Sequence, residues 1–328
     1  MSAATPFVTL ATGQKMPCFG FGTWQLAGDV ADEMVYLAIA KGCRHIDAAS
    51  IYRNEEAVGR AIARAIKDGL CTREELFVTT KVWNTDHAPD AVVPACRASL
   101  QRLGLDYVDL YLVHWPTNWQ PSATPLVPAK TESGAIALYP CSLAETWSGM
   151  EQVVEAGLAR AVGVSNYSAA QLKQVWDSVQ KHYPVMNQVE SHPYFNQVAL
   201  EAEMAEVTGR DADGKGKVAI TAYSPFNANP SDDGQPPLDL FGNAAVQAVA
   251  AKHGCTPAQV AIRFHIELGR GVIPRTSNPV RVQQNLDALK LKLDEDDMKS
   301  LLAVTPQRRS LNPYSFDGEV GKPFFRDE

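Results

Sequence analysis

Short apolar runs alternate with helix-patterned segments along nearly the whole chain, and they do so eight times. The strand-like runs are Phe19–Thr23, Arg44–Asp47, Phe77–Lys81, Val108–His114, Arg160–Ser165, Val185–Val189, Val218–Ser224 and Gly271–Arg275. Between them, apolar residues recur at helical spacing, as in Val58, Ala61, Ile62 and Ala65, or Val93, Cys96, Leu100 and Leu103. Val108–His114 is a continuous apolar strand, the pattern expected when both faces are covered. Strict alternation predicts a parallel sheet, and eight units predict closure into a (β/α)8 TIM barrel. Phe7–Leu10 and Met16–Phe19, joined through Gly13-Gln14, read as an N-terminal β-hairpin closing the barrel bottom. Two extra helices are expected in the C-terminal half, Asp294–Leu302 among them. Ser168 with Gln171 forms a capping box, and Thr256 followed by Pro257 opens another helix.

The 328 residues fit one barrel domain, 1–328. Thr117–Ser142 and Pro225–Leu240 are too long for simple connectors and read as active-site loops. The competing architecture is an open doubly wound sheet with a glycine-rich phosphate turn. Gly214–Ala219 matches that turn's pattern, but it precedes a strand instead of following one.

A formal charge of −7 leaves no basic footprint for nucleic acid, although a few arginines can hold a small anion. The six cysteines are scattered without a CxxC pair, and the histidines show no metal-binding spacing. Neither a disulfide framework nor a metal centre is expected. No secretory leader is evident at Met-Ser-Ala-Ala-Thr-Pro, and no run of 18 apolar residues offers a membrane span. The expected protein is cytoplasmic.

Three strands end on residues that can do chemistry. Asp47 closes one strand and Tyr52 follows it; Lys81 and His114 close the next two. In a parallel barrel those ends share one face. Each residue alone has an ordinary structural explanation, an ion pair or core packing, but all four on one face suit the reduction of a carbonyl. Tyr52 would donate a proton to the carbonyl oxygen. Lys81 at about 4 Å would favour the phenolate by roughly 4 kcal/mol at an effective dielectric of 20, against desolvation. Asp47 would hold Lys81, and His114 would fix and polarise the oxygen.

The chain resembles the aldo-keto reductases, in particular the aldose, aldehyde and xylose reductases, from end to end. The resemblance rests on His45-Ile46-Asp47-Ala48-Ala49 with Tyr52, on Gly104–Leu110 leading to His114-Trp115-Pro116, on Gly163–Tyr167, and on Ile273-Pro274-Arg275-Thr276. It implies a barrel that binds NADPH without a Rossmann domain, with Asp47, Tyr52, Lys81 and His114 as catalytic tetrad. It further implies that Ser165, Asn166 and Gln188 meet the nicotinamide carboxamide and that Tyr223 stacks on the ring. Thr23 and Trp24 would lie beside the cofactor, and Ser224 with its loop would cover the pyrophosphate. Arg275, Thr276 and Arg281 would hold the 2′-phosphate, and Gln284 and Asn285 the adenine.

Ala48 stands where the family usually has threonine. Arg275 and Thr276 replace a lysine and a serine, and Gln284 a glutamate. Arginine keeps the charge but changes its geometry, so NADH becomes a weaker alternative cofactor. Trp24, Trp83, His114 and Trp115 would line the substrate side, with Trp119 beyond them. Asn312, in Leu311-Asn312-Pro313, resembles the residue that meets a sugar hydroxyl in xylose reductases. The implied activity is NADPH-dependent reduction of aldehydes and aldoses, and the resemblance implies a monomer. The competing role is a nucleotide-sensing regulatory subunit on the same fold. A short-chain dehydrogenase is excluded because no Tyr-x-x-x-Lys occurs.

Overall fold

The computed structural model describes residues 6–209, 218–227 and 236–311. β1 (Phe7–Thr9) and β2 (Lys15–Pro17) pair antiparallel, with Val8 opposite Met16. Both of these side chains are buried. Met16 reaches Gly271, where an added Cβ would lie 2.9 Å from its Cε. The hairpin therefore plugs the end of the barrel at which the last strand begins.

Eight strands follow, all parallel and in sequence order. They are β3 (Phe21–Gly22), β4 (His45–Asp47), β5 (Phe77–Val82), β6 (Leu110–Val113), β7 (Val162–Ser165), β8 (Met186–Glu190), β9 (Ala219–Tyr223) and β10 (Gly271–Val272). The sheet curls until its first and last strands meet. Phe19 bridges Val272; Gly20 N donates to Val272 O at 2.9 Å, and Gly22 N to Pro274 O at 3.1 Å. Glycine makes this seam possible. A Cβ at Gly20 would sit 2.7 Å from the His45 ring, and one at Gly22 would sit 2.8 Å from the Ile273 carbonyl oxygen.

The helices α1 (Gly28–Ala40), α2 (Glu55–Lys67), α3 (Pro89–Leu103), α4 (Leu143–Glu155), α5 (Ala169–Trp176) and α6 (Val198–Val207) each follow one strand. α7 (Ala244–His253) and α8 (Pro257–Glu267) share the connection from β9 to β10, and α9 (Pro279–Asp287) and α10 (Glu295–Leu302) follow β10. The two extra helices are thus α7 and α10, which bury Val246, Val249 and Leu301 in a satellite core with Phe264 of α8. The helical pattern along the sequence leaves α7 unassigned, because Ala-Ala-Val-Gln-Ala-Val-Ala-Ala-Lys-His shows little contrast between its faces. Its observed end signals are clear: Asn243 accepts from Ala245 and Val246 N–H groups, and Gly254 is left-handed.

The capping boxes at Ser168 and Thr256 are present as expected. β6 is shorter than the expected Val108–His114, and the cause is Asp109. Its carboxylate accepts the Val78 N–H at 2.9 Å and pairs with Arg73 at 2.9 Å, so a side chain takes one bond of the ladder there, while the Asp109 N–H still donates to Val78 O at 2.9 Å. The Thr117–Ser142 segment folds back on itself through bridges Trp119–Leu138, Pro121–Pro128 and Lys130–Ile136. Among the described residues no helix is long and apolar enough to cross a membrane. No group of three or more His, Cys, Asp or Glu there could hold a metal, and all six cysteines are free.

Two buried histidines make the fold sensitive to acid. His45 lies between Pro17 O (3.2 Å) and Thr79 Oγ1 (3.3 Å), and His87 is bound to Asn118 Oδ1 at 2.6 Å. Burial lowers both from an ordinary 6.5 to about 4. The unfolded chain then binds protons that the native chain refuses, so stability falls as pH drops from 6.5 towards 4. Each histidine accounts for a loss on the order of 3 kcal/mol over that window. Urea denaturation across the range should show the decline, and a flat profile would contradict the buried neutral state.

Candidate active site

The carboxyl ends of the strands converge on a cavity of about 690 Å³. Asp47 is the last residue of β4, and a 3-10 turn over Ser50–Tyr52 lifts Tyr52 into the cavity wall. Ser50 Oγ fixes that turn by donating to Lys81 O at 3.1 Å. Arg53 leaves the turn in a left-handed conformation, φ 56°. Next to it, Asn54 donates to the carbonyls of Thr23 (2.8 Å) and Leu26 (2.9 Å), tying the loop after β3 to the same place.

Lys81, on β5, lies wholly buried beneath the cavity floor. Its ammonium donates three bonds: to Asp47 Oδ1 at 2.6 Å, to Ala48 O at 2.9 Å and to Tyr52 Oη at 3.3 Å. The other Asp47 oxygen accepts from Gln188 Nε2 at 2.8 Å. Thr23 Oγ1 donates to Asp47 O at 2.8 Å. Every polar atom of this pair is therefore partnered, which is the condition for keeping two charges in a dry interior. Because the phenol oxygen already accepts from Lys81, its own proton is left to point into the cavity.

Burial and the Asp47 carboxylate hold the Tyr52 pKa well above the ordinary 10. This differs from the expectation that Lys81 makes the phenol acidic. The ammonium is countered by Asp47 at contact distance, so Tyr52 meets a nearly neutral pair and desolvation dominates. The resting site therefore presents a protonated phenol. For Lys81, burial pulls the ammonium's pKa down while Asp47 opposes it.

His114 follows β6 and is held well below 6.5 by burial and by Lys81. It is neutral at pH 7 and carries a single N–H. Its Nδ1 is buried with no hydrogen-bond partner among the described residues. An orphaned buried N–H is rarer than an unused acceptor, which places the proton on Nε2. Tyr52 packs edge-on against the His114 ring at 5.7 Å between centroids, and Trp83 does so from another side at 5.1 Å.

Two walls of different character rise from this floor. One is polar: Ser165 Oγ donates to Gln188 O at 2.7 Å, Asn166 Nδ2 to His114 O at 2.9 Å, and Tyr223 Oη to Asn166 Oδ1 at 2.7 Å. The other is apolar, with Trp83, Trp115 and Trp119 clustered against Ile51, Leu126, Ile136 and Leu311. Sequence reasoning missed Ile51, Leu126 and Ile136. Isolated apolar residues in the otherwise polar Thr117–Ser142 segment were the available signal.

Trp24, Ser224 and Arg275 also line the cavity, and Trp24 is 38% exposed at its rim. Thr23 does not line it, and lies under the floor. Thr276, Arg281, Gln284 and Asn285 lie beyond it, on the segment from β10 into α9. Thr276 Oγ1 accepts from Asn278 N, and Asn278 Oδ1 caps α9 at Val280 N. Arg281 and Gln284 are exposed on α9, and Asn285 is buried. Arg275 donates to Gln25 Oε1 at 3.0 Å. No ion pair joins Arg275 or Arg281 to another described residue. Asn312 lies outside the described residues.

The aldo/keto reductase family model matches residues 19–305. The chain belongs to the aldo/keto reductase family. It is 38% identical to aldo-keto reductase family 1 member A1-A of Danio rerio, covering 94% of this chain and 92% of that one. It is also 38% identical to the NAD(P)H-dependent D-xylose reductase xyl1 of Aspergillus niger, covering 95% and 98%. Among solved structures it resembles the Bombyx mori aldo-keto reductase in complex with NADP, with a TM-score of 0.82 and 35% identity. That match covers 96% of this chain and 98% of that one. Family membership makes the protein an oxidoreductase, and the cavity above Asp47, Tyr52, Lys81 and His114 is its candidate active site.

Proposed function

We propose that this aldo/keto reductase reduces aldehydes and aldoses to alcohols with NADPH, using Tyr52 as the acid. The observation that carries the reading is the buried Asp47–Lys81 pair bound to Tyr52 at the cavity wall, which leaves a protonated phenol beside the neutral His114. The donor set fits the cofactor. Ser165, Asn166 and Gln188 supply hydroxyl and amide groups suited to a carboxamide, and Tyr223 a ring to stack on. Ser224 and Trp24 flank that wall, and Thr23 braces the floor at Asp47 O. Arg275 and Arg281, without ion-pair partners among the described residues, suit a 2′-phosphate through charge-assisted bonds, with Thr276, Gln284 and Asn285 toward the adenosine. When bound, NADPH supplies the hydride.

The protein's own task is to manage the oxygen. His114 Nε2–H orients and polarises it, and Tyr52 Oη–H transfers its proton to it. As that proton leaves, Lys81 at 3.3 Å stabilises the phenolate by about 5 kcal/mol at an effective dielectric of 20, before the counter-pull of Asp47. The apolar wall excludes water from the reacting carbonyl. Trp83 and Trp119 line it, and their buried indole N–H groups have no acceptor among the described residues, which supports a hydroxyl-bearing substrate. Six unpaired cysteines support a reducing, cytoplasmic setting. Scattered single exposed apolar residues such as Phe7 and Tyr183 support a monomer, built as one barrel domain over 1–328.

Loss of NADPH absorbance with a panel of aldehydes and aldoses, repeated with NADH, tests this reading. Turnover with NADPH and slower turnover with NADH is the expected result. No cofactor consumption with any carbonyl would overturn it.

A further inference from the structure

We propose that Glu190 is a positioning residue that sets the substrate-side wall by clasping the chain at Ser310 and Leu311. Glu190 ends β8 and is buried on the cavity side of the barrel, yet the chemistry above makes no use of it. Its carboxylate accepts the Ser310 N–H on Oε1 at 2.8 Å and the Leu311 N–H on Oε2 at 2.9 Å. His192 Nε2, also fully buried, braces Oε1 at 3.0 Å, and Gln197 Nε2 holds the Glu190 carbonyl at 2.9 Å. The carboxylate is thus fixed on one side and spends both oxygens on two consecutive backbone amides on the other.

A carboxylate that takes two successive N–H groups dictates the direction of the backbone that carries them. Here that direction places the Leu311 side chain against the Trp83, Trp115 and Trp119 cluster, where it lines the cavity. Ser310 adds a second tie, because its hydroxyl donates to Asn227 Oδ1. Asn227 in turn closes the turn after β9, its N–H donating to Ser224 O at 3.0 Å. The clasp therefore joins the apolar wall to the segment that begins at Ser224. The hydrogen bonds from His192 and Leu311 hold the Glu190 pKa below its ordinary value despite burial, so the acceptor is ionised at neutral pH.

The KM side of this inference rests on the carbonyl-reductase reading, whereas the clasp itself can be read without turnover. Glu190→Gln keeps the shape but replaces one acceptor by an amide N–H, leaving one of the two backbone donors without a partner. With NADPH saturating, its KM for an accepted aldehyde is expected to rise about tenfold, the usual cost of a lost bond to a charged group. Its kcat and its NADPH Kd should stay within about twofold. Leu311→Ala should reproduce the KM effect, and the double variant should add little, because both act through one side chain. Hydrogen exchange of the peptide carrying Ser310 and Leu311 should be slow in the wild type and fast in Glu190→Gln.

An unchanged KM, an NADPH Kd that rises with KM, or additive effects in the double variant would overturn the assignment. So would fast exchange in the wild type. If Glu190→Gln does not accumulate folded, wild-type exchange and the KM of Leu311→Ala decide. If no carbonyl is turned over, the functional reading fails while the exchange contrast still decides the clasp.

Discussion

Tyr52→Phe is expected to lower kcat by about 10²- to 10⁴-fold, the range over which a positioned general acid contributes. The change removes one oxygen from a half-buried ring in the cavity wall, so the fold and the cavity walls stay in place. The NADPH Kd should remain within about threefold of wild type, because the polar wall of Ser165, Asn166 and Tyr223 is untouched. Steady-state assays paired with a cofactor fluorescence titration check both halves. A variant that retains full turnover would remove Tyr52 from the chemistry.

Lys81→Met is expected to damage stability as well as rate. Lys81 and Asp47 are both buried, and the ammonium satisfies Asp47 Oδ1, Ala48 O and Tyr52 Oη together. Removing it strands a carboxylate whose one remaining side-chain donor among the described residues is Gln188. Breaking one partner of a buried pair typically costs about 3–5 kcal/mol. Replacing both, as Asp47→Asn with Lys81→Met, should recover much of that stability without recovering activity, because no uncompensated charge remains. Urea titrations of the two variants check the order. If the single variant were as stable as the double, the pair would not be the buried, mutually dependent unit described above.

Much of this was legible in the sequence because barrel geometry converts strand order into a shared face. Asp47, Lys81 and His114 each close a short apolar run, and in a parallel barrel that position has one meaning. Tyr52 was legible for a related reason: too few residues separate it from Asp47 for it to leave that end of the barrel. The resting protonation of Tyr52 was not legible, since it depends on how closely Asp47 neutralises Lys81, a matter of ångströms that spacing does not encode. α7 escaped notice because its alanines give either face the same polarity. The aromatic wall was only partly legible: the tryptophans stood out, but Ile51, Leu126 and Ile136 join them through loop folding that no periodic pattern records. The Glu190 clasp links residues 120 positions apart, and such a pairing has no local signature.

The decisive measurement is a single-turnover reduction by NADPH-loaded protein, run in H₂O and D₂O with normal and 4-deuterated cofactor. The expected result is that both labels slow one step in the wild type, and that the solvent effect disappears in Tyr52→Phe. A solvent effect that survives unchanged without the phenol hydroxyl would show that the carbonyl proton comes from another group.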